Sequence, residues 1–155
     1  MGRREDLLRQ EAEAWGKIDG VVESLSAAEL VRPGYTVEGW SAKDMMAHVA
    51  AWSDYAARVL DEIAKGTWDG RDEFAESGSV DRLNAEWFER DRDLDVDAVR
   101  SDWHASRTRM LQAFGALDEI TPDADEWFEE SGPSHYAEHL TDLESWVRRL
   151  HAERR

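Results

Sequence analysis

The stretch SAKDMMAHVAAWSDYAARVLDEIAKG, residues 41–66, decides how the chain is read. Ser41 followed three residues later by Asp44 is a helix-starting pair, because the serine oxygen can accept from the third amide while the acid reaches back to the first. Met45, His48, Trp52, Tyr55, Val59 and Ile63 then recur at threes and fours, the period that gathers side chains on one face of a helix. Lys65-Gly66 ends the run, and glycine is the residue that most readily takes the left-handed turn after a helix. The spacing therefore predicts a long amphipathic helix from Ser41 to Lys65 with one face turned inward.

Three further helices follow outward from this one. Leu8, Trp15, Ile18, Val22 and Leu25 give the same stripe over residues 5–25. The segment SAAELVRPGYTVEGW, residues 26–40, reads as a short helical turn and then a loop broken by Pro33, Gly34 and Gly39. GTWDGRDEFAESGSVD, from Gly66 onward, reads as a long surface connection. Helical pattern returns at Val80–Phe88, blurs in ERDRDLDVD (89–97), and runs clearly from Ala98 to Leu117, which predicts a third helix with an interruption. TPDADEWFEESGP (121–133) reads as the last connection. Pro133 starts a fourth helix, with Tyr136, Leu140, Leu143, Val147 and Leu150 on its apolar stripe. No two-residue alternation competes. The expectation is an all-α protein, a four-helix bundle with long crossover loops, formed as one domain over residues 1–155.

Composition narrows the function. At 155 residues with 41% hydrophobic side chains, the chain can bury one core. A net charge of −16 repels phosphate, so neither nucleic acid nor an anionic membrane surface is expected as a partner. No apolar run is long enough to cross a bilayer, and MGRREDLLRQEAEAW lacks the apolar centre of a signal peptide, which predicts a cytoplasmic protein. There is no cysteine. Any thiol chemistry would have to arrive with a small molecule.

Histidines are the remaining chemical resource, and there are five. SHYAEHLTDLESW, residues 134–146, sets His135 and His139 four apart, one turn above the other on a helix. His48 lies on the inward face of the helix at 41–65. If those helices are neighbours, three imidazoles converge, enough for a divalent metal with positions left open. His135 also stands in a first helical turn, where the dipole disfavours imidazolium and keeps the ring fit to ligate. Asp44 and Asp142 are near enough in sequence to orient those rings as acceptors, and Trp52 and Tyr55 share the face of His48. Spacing leaves a second reading open, in which inward histidines are core residues hydrogen-bonded to a carbonyl or a tyrosine. His104 and His151 read as surface residues. Trp40, Trp68 and Trp127 fall in or beside loops, where they could line a pocket.

GWSAKDMMAHVAAW (39–52) resembles the second-helix signature of the DinB-like superfamily of bacterial four-helix bundles, with His48 at the place of the superfamily's histidine. HYAEH (135–139) matches the two-ligand spacing of its fourth helix, and VDRLNAEWFE (80–89) resembles the segment before its third. Branches of that superfamily include YfiT-like proteins, mycothiol-dependent maleylpyruvate isomerases and ClbS/DfsB-like self-resistance proteins. SHY at 134–136 is similar to the last of these. The isomerases are expected to carry an acidic ligand where His135 stands, so the resemblance is to the superfamily.

The resemblance implies a divalent ion, zinc or nickel, held by His48, His135 and His139. It implies metal-dependent chemistry on a small electrophilic molecule, as a hydrolase or as a transferase using a low-molecular-weight thiol. The alternative is a protein that binds or sequesters a small molecule and uses no metal. A homodimer is also expected, since Trp87, Phe88, Trp103 and the loop tryptophans exceed what one such core needs. Loops folding back over those rings would be the competing arrangement.

Overall fold

The computed structural model describes residues 2–71 and 73–154. Its helices are α1 (Arg3–Glu23), α2 (Ala27–Val31), α3 (Ala42–Lys65), α4 (Ser79–Asp91), α5 (Val96–Gly115), α6 (Pro122–Ser131) and α7 (Pro133–Glu153), and there is no strand among the described residues. The four long helices α1, α3, α5 and α7 form the bundle. α3 packs chiefly on α5, α1 packs on α7, and α6 wedges against both α3 and α7. None of the helices is long and apolar enough to cross a membrane.

The start of α3 forms as its sequence requires. Ser41 accepts from the Asp44 amide, and the Asp44 carboxylate takes the Ser41 amide at 2.9 Å, so two otherwise unpaired donors are satisfied. Gly66 closes the helix in the left-handed region, at φ 73°. The interruption in the third predicted helix is a full break: α4 ends at Asp91, and Asp95 caps α5 by accepting from the Ala98 amide at 2.8 Å.

Two expectations are corrected here. The connection at 121–133 is largely helical. Thr121 accepts from the Ala124 amide, Pro122 takes the first turn, and Asp123 and Asp125 favour its positive end, while Ala124 and Phe128 are buried. Gly132 alone separates α6 from α7, with φ −103° and ψ −104°. A Cβ there would lie 2.9 Å from the Phe128 carbonyl oxygen, so the tight joint requires glycine. On α1 the buried stripe runs Leu7, Glu11, Trp15, Ile18 and Val22, so a carboxylate takes a core position and Leu8 lies at its edge.

The argument for a dimer also loses its basis. Trp103 is buried against Trp15, Trp87 meets Trp52 edge-on with centroids 4.9 Å apart, and Phe88 stacks on Trp40 at 5.1 Å. The rings that seemed surplus thus pack within one chain. The exposed large hydrophobic residues, among those described, are Val31, Val37 and Val80.

Candidate functional site

His48 from the second turn of α3 meets His135 and His139 from the first two turns of α7. His48 Nε2 lies 3.1 Å from His135 Nε2, and His139 Nε2 lies 3.0 Å from that same atom. The three ring centroids are 4.7 to 5.1 Å apart. The structure therefore brings all three sequence-selected histidines to one point.

Burial holds these rings neutral. It pushes His48 down to about 4, with the neighbouring His139 adding to the effect, and it pushes His135 down to about 2, with His139 and His48 adding to it. His139 is lowered by the same burial, partly opposed by Glu138 and Asp142.

Hydrogen bonding alone does not satisfy this arrangement. A neutral ring nitrogen offers one hydrogen or one lone pair, so His135 Nε2 can pair fully with only one of its two neighbours. The far nitrogens of His48 and His135, both Nδ1, are buried without a partner among the described residues. A shared cation removes the conflict, because three lone pairs would then point at one centre. Imidazole nitrogens about 2.1 Å from a first-row metal stand about 3.0–3.4 Å from one another at right-angled to tetrahedral bond angles, and the observed separations fall within that range. The donor set fits a divalent ion.

Tyr35, which sequence reasoning did not single out, supports His139. Its hydroxyl donates to the His139 carbonyl at 3.3 Å and lies 3.4 Å from His139 Nδ1. With the hydroxyl hydrogen committed to the carbonyl, its oxygen is left to accept from Nδ1–H. We assign the tautomer on that basis, which leaves the lone pair on Nε2, toward the other rings. Burial, with Asp142 and Glu138 adding to it, raises the Tyr35 pKa well above that of an ordinary phenol, so the hydroxyl stays a donor. The loop holding Tyr35 is fixed by its amide and that of Gly34, both donating to the Trp40 carbonyl. Gly34 passes Trp146 at φ 113°, where a Cβ would lie 3.2 Å from the indole. Nothing periodic marks Tyr35; the signal available was a tyrosine after Pro-Gly.

The other selected residues play different parts. Asp44 is engaged in capping α3 and contacts no site imidazole in the hydrogen-bond network. Asp142 is exposed and reaches His139 and Tyr35 only through its charge. Tyr55 stacks on Trp127 at 5.4 Å and donates to the Glu73 carboxylate, so it backs the wall of the site. Trp52 lines the site directly, its Nε1 donating to Asn84 Oδ1 at 2.8 Å and tying α4 to α3.

The histidines line a cavity of about 680 Å³, a size suited to a small molecule. α6 and the stretch that carries Trp68, Arg71, Glu73 and Phe74 also line it. Sequence reasoning placed both segments as connections, while naming Trp68 and Trp127 within them as residues that could line a pocket, and both do. His104 sits with Asp19 and Glu23 in a second, exposed cluster.

Comparison with solved structures finds this fold elsewhere. An uncharacterised protein from Escherichia coli UTI89 superimposes with a TM-score of 0.79 at 12% identity, over 96% of this chain and 94% of that one. The colibactin self-resistance protein ClbS, solved in complex with a dsDNA, gives 0.77 at 12% identity, over 93% of this chain and 94% of ClbS. That complex corrects the expectation that nucleic acid is excluded as a partner. Whole-chain charge is an average over the surface and does not fix the potential of any one face. No functionally curated protein matches the sequence. The family described as mycothiol maleylpyruvate isomerase N-terminal domain matches residues 12–153, a span that contains all three histidines, and the chain belongs to that family within the DinB-like superfamily.

Proposed function

We propose that the chain is a metal-dependent enzyme acting on a small electrophilic molecule, with a divalent ion, zinc or nickel, held by His48, His135 and His139. The observation that carries this reading is the convergence of three part-buried imidazole nitrogens that hydrogen bonding cannot fully satisfy. An ion bound there would lower the pKa of a coordinated water or incoming thiol by several units, supplying a nucleophile that a chain without cysteine lacks. The chain's own residues hold and orient. Tyr35 sets the His139 tautomer, Trp52 and Asn84 brace α4 over the cavity, and the aromatic walls limit water near the histidines. The family's link to mycothiol supports a low-molecular-weight thiol as co-substrate, with transfer to the electrophile or its hydrolysis as the reaction.

A sequestering role is the second reading, and the fold shared with a self-resistance protein favours it. Turnover separates the two. Zinc-loaded, untagged protein should accelerate hydrolysis of an activated ester, or its conjugation with a small thiol, and His135→Ala should reduce the rate at least ~100-fold, about 2.7 kcal/mol. Equal rates for the two proteins would sink the enzymatic reading.

A further inference from the structure

The cavity beside the histidines is lined by two kinds of side chain, aromatic and acidic. Trp52, Trp68, Phe74 and Trp127 supply its apolar walls. Their rings stand at steep angles, Trp68 to Trp127 at 84° and Trp52 to Phe74 at 63°, so that faces as well as edges border the space. An aromatic face attracts a cation through its quadrupole.

Charge points the same way. Glu73, Asp123, Glu126, Glu130 and Glu138 line the cavity, against Arg71 as its one permanently cationic side chain. None of these five carboxylates is in an ion pair among the described residues, although arginines on every side of the bundle are paired with other acids. Burial pushes the Glu130 carboxyl up, and the neighbouring Glu126 and Glu129 add to it.

We propose that the cavity selects a small molecule carrying a positive charge, such as a protonated or quaternary amine, on a flat apolar body. This names the substrate class of the site proposed above and rests on that reading. The reacting group lies at the histidines, the apolar body lies between the tryptophans, and the cationic group faces α6 and the 67–78 loop. A dicarboxylate, by contrast, meets five like charges and a single guanidinium.

The test uses three probes that share a ring and differ in charge: benzyltrimethylammonium, benzyl alcohol and benzenesulfonate. The quaternary ammonium has no lone pair to donate to a metal. Binding to the untagged full chain is followed by tryptophan fluorescence, with zinc loaded and with zinc removed by a chelator. The cation should bind at least tenfold more tightly than either other probe in both states, and the preference should shrink as salt rises. In Glu126→Gln/Glu130→Gln, two exposed positions whose change should leave the melting curve in place, the preference should fall at least threefold. A sulfonate that binds as well as the ammonium, or three probes that are indistinguishable or all unbound at millimolar concentration, overturns the proposal. Zinc content is measured on the same samples. A protein that takes no zinc yet prefers the cation removes the metal reading and keeps this one, whereas a zinc-binding protein without the preference does the reverse.

Discussion

Two polar clusters lie inside this bundle, and they are built on opposite principles. In the first, Glu11 on α1 is 1% exposed and receives both forks of the Arg107 guanidinium at 2.7 Å, while the Tyr136 hydroxyl donates to it at 3.1 Å. Each charge has its counter-charge, and the carboxylate oxygens are both engaged. In the second, three imidazoles share one point, His135 Nε2 faces two neighbours, and two ring nitrogens find no partner among the described residues. A satisfied buried network rigidifies a fold. A concave cluster left unsatisfied by its own chain is open to a ligand, and the one proposed above is a divalent cation.

The comparison breaks first if the Glu11 cluster is dispensable. Truncating one partner of a buried pair strands the other charge, so Glu11→Ala should lower unfolding free energy by about 3–5 kcal/mol in chemical denaturation. A loss under ~1 kcal/mol would mean Arg107 finds water without cost, and that the cluster is not the strut described here.

Acid should act on the histidine cluster next. With metal removed by a chelator, His48 carries a proton in the unfolded chain below about pH 6.5, whereas burial holds its folded value down at about 4. The unfolded state therefore binds more protons between those values. Stability is fully present above about pH 6.5 and is lost as pH falls toward 4, by on the order of 3 kcal/mol from His48. Stability that stays flat over this window would show that the rings are hydrated and not held neutral.

Tyr35 gives a finer test of orientation. Tyr35→Phe keeps the packing but removes the hydroxyl against His139, and should weaken zinc affinity about tenfold in a chelator competition. No change would indicate that the His139 tautomer is set by something other than Tyr35. Smaller still is the effect of His135→Ala on the metal-free protein. It removes a group whose Nδ1 has no protein partner, so stability should move by less than ~1 kcal/mol, in contrast with Glu11→Ala.

How far the sequence reaches depends on the kind of signal each element carries. α3 and α7 were legible because a capping box or an initial proline stood before a regular stripe, and His48, His135 and His139 could be placed on faces once those helices were drawn. α6 was hidden by its own composition, since Pro, Asp, Ser and Gly dominate its ends. Even so, Thr121-Pro122 with acids in the next turn is a helix start. Tyr35 was out of reach because an irregular loop has no period from which to infer a direction. Glu11 stood on the stripe between Leu7 and Trp15. A stripe read only from apolar residues skips a carboxylate whose partner, Arg107, lies on a different helix. Asp44 misled for a related reason: its carboxylate is turned to the Ser41 amide and hydroxyl, three residues away, and nearness in sequence to His48 does not reveal that nearer partner.

The contrast between the clusters rests most directly on metal content. Elemental analysis of protein purified without an affinity tag should find close to one divalent ion per chain in the wild type and essentially none in His135→Ala, while Glu11→Gln, where it folds, keeps its metal. A wild-type protein that stays metal-free after equilibration with micromolar zinc and nickel, or a His135→Ala variant that binds as much as the wild type, would contradict the account.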